Sequence, residues 1–351
     1  MNSPASYTAR RRLYYAILSG EHPTLPRGEF EALLESAGVE ADSVYQIDTL
    51  VLFRAGLRRS VLEELCRKSA YIREVGESVA LAPEEPGGIL EALKSAEIPE
   101  DQRYWIVYEK HGVPDWDPGY NTVIREAAEA LRGRLSRDGS ILKIDHYPGF
   151  IHVGVRYLRR RYSDFQARSP RRRPVFRPGT LDPRLSRALV NLSRPRPGLS
   201  YLDPFCGVGG LAIEAALLGL DPVVCGDVEY KMMRGAELNL AYYSPVKHGY
   251  ILYYGDAARM PFRDESIDRI STDPPYGRST STKGRSISRL LEGFLYESYR
   301  ILRRRGVIVF ASPVEAEPGE RASEAGFRVI GYHEMHVHGG LVRSIVVAVK
   351  P

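Results

Sequence analysis

With 351 residues, 43% hydrophobic and 26% charged, the chain has the composition of an ordinary globular protein and room for two or three domains, each with its own core. This excludes a small stapled scaffold, and the three cysteines, Cys66, Cys206 and Cys225, show neither metal-ligand spacing nor an even-numbered framework, which favours a reducing compartment. Arg10, Arg11 and Arg12 precede only a short apolar run, and no apolar stretch reaches membrane length, so a cytoplasmic location with no membrane contact is expected.

The first part alternates short strands and helices. Leu13 to Leu18 reads as a strand, and Phe30, Leu33 and Leu34 mark a helix stopped at Gly38. A second strand is expected over Val44 to Phe53, a helix over Leu57 to Ala70 and a third strand over Ile72 to Leu81. These make residues 1–80 a small α+β domain. After the turn-rich 83–88, a helix at Ile89 to Ala96, a strand at Tyr104 to Glu109, a helix at Val123 to Leu135 and strands at Ile141 to Tyr147 and Ile151 to Leu158 make a second, over 81–160. His111, His146 and His152 are scattered and read as surface or satisfied structural histidines. Both domains are expected to bind rather than to react.

The net charge of +5 is unevenly distributed. Residues 156–177 carry nine arginines against one acid, Asp164, with Tyr157, Tyr162, Phe165 and Phe176 interleaved. A solvated linker over 161–177 explains part of this run, and phosphate contact with stacking on bases explains it better. Arg159, Arg160, Arg161, Arg171, Arg172 and Arg173 are its candidate RNA contacts.

The catalytic domain is expected over 178–351, opening with a helix from Arg184 to Asn191. Strand Ser200 to Asp203 runs into a glycine-rich loop with Gly207 and Gly209, then a helix from Leu211 to Leu218 closed by Gly219. Such a loop lets backbone pass close to a nucleotide cofactor. Asp203 at the strand end would repel a pyrophosphate and accept from an ammonium, which favours S-adenosylmethionine over NAD. Strand Val223 to Gly226 ends at Asp227, placed to take both ribose hydroxyls, and strand Tyr250 to Gly255 ends at Asp256, which with the Ala257 backbone can read an adenine amino edge.

The run Ile267 to Ile270 leads into Ser271-Thr272-Asp273-Pro274-Pro275-Tyr276-Gly277, at the carboxyl end of a parallel strand. Paired prolines restrict the backbone and lack N–H donors, so carbonyls beside the Asp273 carboxylate stay available as acceptors. Together they can hold an exocyclic amine, push electron density onto its nitrogen and take its proton after attack, while Tyr276 stacks on the ring. Four strands ending in Asp203, Asp227, Asp256 and Asp273 point to a methyl-donor site. The stretch 277–286, with Arg278, Lys283 and Arg285, reads as a mobile loop over an RNA substrate. A helix over 287–302, a strand over 307–311, a helix near 320–325 and strands over 329–336 and 344–349 complete the sheet. His333, His336 and His338 lack a nearby cysteine or fourth ligand, and no metal is expected.

DPFCGVGG, GDVEY, GDAARMPF and TDPPYG, in that order, resemble the motifs of class I S-adenosylmethionine methyltransferases acting on amino nitrogens. With PVFRPGTLDPRLSRALVNLS and LSGEHPTLPRGEFEALLE, the chain is similar along nearly its whole length to the archaeal tRNA (guanine-10, N2) methyltransferase and dimethyltransferase family. The resemblance implies an N-terminal ferredoxin-like domain, a THUMP domain that grips tRNA and a Rossmann-like methyltransferase. It implies that Asp203, Phe205, Cys206, Gly207 and Gly209 line the methionine end of the cofactor, Asp227 and Val228 the ribose, and Asp256 and Ala257 the adenine. Asp273, Pro274, Pro275 and Tyr276 would then hold the guanine amine, and Thr180 the amino-acid moiety. The expected reaction forms N2-methylguanosine at position 10 and, with a second transfer, N2,N2-dimethylguanosine, by a monomer for which an activating subunit is left open. Methylation at position 6, or an RNA-binding protein with a degenerate methyltransferase domain, are the alternatives.

Overall fold

The apolar run from Leu13 to Ile17 places β1 (Arg12–Leu18) inside the first of two sheets in the computed structural model, which describes residues 11–96, 98, 102–112, 116–244, 249–275, 287–338 and 341–351. The chain then enters α1 (Leu25–Ser36), which belongs to the second unit. Unit one comprises the described parts of Met1–Ser19, Val39–Arg67 and Ile72–Arg160. Its sheet runs β2 (Ala41–Ile47), β3 (Leu50–Ala55), β1, β4 (Ile72–Pro83), β7 (Phe150–Arg159), β6 (Ser140–Tyr147), β5 (Tyr104–Lys110), antiparallel except where β5 lies on β6. The single strand expected over 44–53 is a hairpin. Asp48 takes a left-handed φ of 52°, which aspartate tolerates, and Ile47 pairs with Leu50. The expected boundary at 80 falls inside β4, which pairs with β1 on one edge and β7 on the other, so one sheet serves both parts.

α2 (Arg59–Lys68) buries Leu62, Leu65 and Cys66. α3 (Gly88–Ser95) and α4 (Gly119–Leu131) lay Ile89, Leu93, Val123, Ala127 and Leu131 against Ile106, Leu142, Ile144, Ile151 and Val153. A left-handed Arg132 ends α4, short of the expected 135.

Unit two comprises Gly20–Gly38, Lys68–Tyr71 and Arg161–Pro351. Its sheet runs β10 (Tyr250–Tyr254), β9 (Val223–Asp227), β8 (Tyr201–Asp203), β11 (Ile267–Thr272), β12 (Leu302–Pro313), β14 (Leu341–Val349), β13 (Arg328–His338), with the first five parallel and β14 antiparallel to both neighbours. Side chains alternate between faces, as a sheet covered on both sides requires: Val307, Val309 and Ala311 of β12 join one core, Ile308 and Phe310 the other. The first core takes α6 (Pro183–Leu192), α7 (Gly210–Leu217) and α8 (Tyr230–Tyr243); the second takes α9 (Ile287–Ile301) and α10 (Pro318–Glu324). α8 has no counterpart in the sequence reading, because exposed Tyr230, Leu238 and Tyr242 blur its apolar stripe.

The expected linker over 161–177 carries structure of its own. α5 (Ser163–Ala167) and a 3-10 turn at Pro170–Arg172 follow from burial of Phe165. α1 joins this unit through Glu29, whose buried carboxylate accepts from Ser69 Oγ at 2.6 Å, from the Ala70 and Tyr71 amides at 2.6 and 2.9 Å, and from Asn191 Nδ2 at 2.6 Å. Among the described residues, no helix is long and apolar enough to cross a membrane.

Candidate active site

β8 and β11 are neighbours, while the chain proceeds from β8 outward through β9 and β10 and from β11 the opposite way through β12. The carboxyl ends at this reversal form the crevice where open α/β sheets hold ligands. After β8 the chain turns tightly, with Gly207 at φ 52° and Gly209 at φ 88°, and α7 starts at Gly210. Left-handed φ at both positions is why glycine serves there. The Gly207 amide donates to Asp227 Oδ2 at 3.0 Å, and the Glu229 amide donates to Oδ1 at 2.8 Å. Burial pushes the Asp227 carboxyl up and these two amides pull it back.

Asp203 was expected to face the cofactor and does not line the cavity. It is 1% exposed, accepting from Thr272 Oγ1 at 2.7 Å and from the Phe205 amide at 3.2 Å. Burial pushes its carboxyl up to about 7, against the pull of those hydrogen bonds. It therefore braces the end of β8 against the end of β11, one residue before Asp273. The physical reason is the switch point itself, where adjacent strand ends leave Thr272 as the nearest donor.

A cavity of about 540 Å³ opens over these strand ends, a size that suits a small molecule. Of the expected residues, Thr180, Phe205, Cys206, Gly207, Asp227, Val228, Asp256, Ala257, Asp273, Pro274 and Pro275 line it, and Gly209 does not. Tyr276 lies outside the described residues. Sequence reasoning missed Glu229, Met232, Leu290 and Arg343 in the lining. Arg343 left a signal: it is the one charged residue in Leu341–Val349, and its guanidinium lies 3.7 Å from Asp273 Oδ2.

Arg177, Pro178 and Gly179 close the cavity with Thr180, whose Oγ1 donates to the Arg177 carbonyl at 2.8 Å. Asn239 of α8 anchors this segment. Its Oδ1 accepts from the Val175 amide at 2.9 Å, and its Nδ2 donates to the carbonyls of Val175 at 2.9 Å and Val208 at 2.8 Å.

The lining suits S-adenosylmethionine. Asp227, Glu229 and Asp256 give one end an acidic wall that disfavours a pyrophosphate and accepts from ribose hydroxyls and an amino group. Apolar Phe205, Val228, Met232 and Leu290 supply surface for an adenine ring and a thioether.

The basic run divides by burial. Arg161, Arg171 and Arg172 are exposed, Arg159 is exposed and paired with Glu109 at 2.7 Å, and Arg160 donates to the Cys66 carbonyl at 3.2 Å. Arg173, expected to contact RNA, is instead 5% exposed and donates from Nε to the Arg168 carbonyl at 3.0 Å, so its guanidinium is withdrawn from any surface phosphate. Arg278, Lys283 and Arg285 lie outside the described residues. In unit one, Glu109, His111 and Asp145 converge, and two of their carboxylates are paired with the Lys143 ammonium, 3.2 Å from Glu109 and 2.9 Å from Asp145. His146 accepts or donates to Tyr108 Oη at 2.8 Å and Glu84 at 3.1 Å, and His333 meets Thr24 Oγ1 at 2.9 Å.

Comparison with known proteins follows the same lines. The family UPF0020, RMKL-like, methyltransferase domain, matches residues 170–345. The tRNA (guanine(10)-N2)-dimethyltransferase of Methanothermobacter thermautotrophicus is 29% identical over 94% of this chain and 97% of its own length. The enzyme of the same name from Pyrococcus abyssi is 39% identical over 62% of this chain and 64% of its length. The tRNA (guanine(6)-N2)-methyltransferase of Thermus thermophilus is 39% identical over 28% of this chain and 30% of its own. The crystal structure of TrmN from Thermus thermophilus superposes with a TM-score of 0.53 at 23% identity, covering 97% of this chain and 100% of that one, which supports the fold. The chain belongs to the UPF0020 family of RMKL-like methyltransferase domains, and it is similar along nearly its whole length to archaeal tRNA (guanine(10)-N2)-dimethyltransferases.

Proposed function

We propose that this protein methylates the exocyclic N2 amine of a guanosine in tRNA, at position 10, using S-adenosylmethionine. The observation that carries this reading is the placement of Asp273, Pro274 and Pro275 on the wall of one cavity whose other end is acidic. When bound, S-adenosylmethionine supplies a methyl group on a sulfonium, whose carbon–sulfur bond breaks as the nitrogen–carbon bond forms. Asp227 accepts from the ribose hydroxyls and Asp256 with Ala257 reads the adenine edge. Asp273 and the neighbouring proline carbonyl accept the two N–H bonds of the target amine, fixing its lone pair toward the methyl, and Asp273 takes the proton released after attack. The base must leave its stack to enter such a pocket.

Residues 1–160, read as ferredoxin-like and THUMP parts, present the tRNA in this account, helped by Arg161, Arg171 and Arg172. The protein works as a cytoplasmic monomer. Position 10 is favoured over position 6 because the position-10 relative matches 94% of the chain, against 28% for the position-6 relative. The test is transfer of labelled methyl to an unmodified tRNA transcript by the parent protein and by Asp273→Ala. The parent forms N2-methylguanosine, and Asp273→Ala retains cofactor binding by calorimetry yet forms none. Methyl on another atom, or an active Asp273→Ala, would overturn the reading.

A further inference from the structure

We propose that the buried guanidinium of Arg173, set behind Gly210 at the start of α7, draws the carboxylate of S-adenosylmethionine to that helix end. This deepens the reading of the cavity as a methyl-donor site and rests on it. Arg173 is 5% exposed, and neither of its two amino groups, Nη1 and Nη2, has a hydrogen-bond partner among the described residues. Only Nε is engaged, donating to the Arg168 carbonyl at 3.0 Å. A guanidinium held this deep is costly unless acceptors meet its donors. The buried acid of α7 is already taken. Glu214 accepts from Arg168 at 2.8 Å and from Arg187 at 2.7 Å, and it attracts Arg173 from beyond hydrogen-bond reach, so three arginines share one carboxylate. Asp182 attracts Arg173 more weakly and caps α6 through the Arg184 amide at 2.8 Å. Positive charge is left in surplus inside the protein.

The position of the guanidinium identifies the missing anion. A methyl group added to Gly210 would stand 3.3 Å from Arg173 Nη1 and 3.5 Å from Thr180 Cγ2. Gly210 and Thr180 both line the cavity, so the charge lies directly behind its wall. No side chain caps α7 at this end, and the first amides of a helix have no acceptor within it. Amides and guanidinium therefore act on one spot: the amides donate, and the charge behind them strengthens the attraction in a poorly solvated wall. The carboxylate is the one anionic group of S-adenosylmethionine, and it sits on the part of the molecule farthest from the ribose and adenine that Asp227 and Asp256 take. An RNA phosphate would arrive from the surface, where Arg171 and Arg172 are exposed and Arg173 is not.

Decarboxylated S-adenosylmethionine isolates the contact, because it lacks only the carboxylate. Binding of both ligands to the full-length parent, Arg173→Met and Arg173→Lys is measured by calorimetry, beside the melting temperature of each ligand-free protein. The parent should prefer the carboxylated ligand by about 10-fold or more, the range for hydrogen bonding between charged groups. Arg173→Met should bind the decarboxylated ligand as the parent does and keep a preference below about 5-fold, the part that a helix N-terminus supplies alone. Arg173→Lys should recover part of the difference. Ligand-free Arg173→Met should melt no lower than the parent, since an unmatched buried charge does not stabilise the fold. A clearly lower melting temperature, or failure of Arg173→Met to fold, would make Arg173 a structural brace and overturn the inference. So would a parent without preference, or equal preference in the parent and Arg173→Met; loss of tRNA affinity by filter binding, with that preference intact, would assign the charge to an RNA phosphate instead. A parent that binds neither ligand overturns the methyl-donor reading as well.

Discussion

Asp203→Asn should stabilise the protein in a pH-dependent way. In the folded chain the Asp203 carboxyl is pushed from an ordinary 3.8 up to about 7 by burial. A raised carboxyl binds its proton more tightly when folded, so its contribution to stability is full below the unfolded value and is lost as pH rises through the folded one. The shift of about 3 pH units corresponds to about 4 kcal/mol between the two limits. Asparagine keeps an oxygen for Thr272 Oγ1 and the Phe205 amide and never ionises. The stability gap in favour of Asp203→Asn should therefore widen by about 2–3 kcal/mol between pH 5 and pH 8, then level off. Urea unfolding followed by far-UV circular dichroism is the suitable assay, because both tryptophans, Trp105 and Trp116, lie in unit one and fluorescence would miss unit two. A gap that does not change with pH would show that Asp203 is not a buried, proton-holding brace.

Asp227→Ala removes the acidic acceptor beside Gly207, and affinity for S-adenosylmethionine by calorimetry should fall by roughly 10- to 100-fold, as for lost hydrogen bonds to a charged group. Glu214→Gln leaves Arg168 and Arg187 facing a neutral amide inside α7, and unfolding free energy should drop by about 3–5 kcal/mol; a drop below about 1 would mean the buried triad is dispensable. Asn239→Ala frees the amide and carbonyl of Val175 and the carbonyl of Val208, so a loss of about 1–3 kcal/mol in stability should accompany weaker cofactor binding through the segment from Arg177 to Thr180.

Strand-end acids were legible because a short apolar run followed by Asp has few other readings, and Asp227, Asp256 and Asp273 all reach the cavity. Asp203 belongs to the same pattern, yet whether its carboxylate points at ligand or at Thr272 depends on which strand lies beside β8, a long-range fact. The allegiance of α1 is hidden for the same reason, since Glu29 meets Ser69 and Asn191 only in the folded chain. Arg173 is indistinguishable from Arg171 and Arg172 in a basic run, and only packing separates the buried one from the exposed pair. Arg343 was the readable miss, a lone charge in an apolar strand.

The central claim is best tested by methyl transfer from labelled S-adenosylmethionine to an unmodified tRNA transcript carrying G10, beside matched G10→A and G6→A transcripts, with nucleoside analysis of the product. The account predicts N2-methylguanosine, retained with G6→A and lost with G10→A. Loss with G6→A alone would assign the other position, and no transfer to any transcript by protein that binds the cofactor would contradict the account.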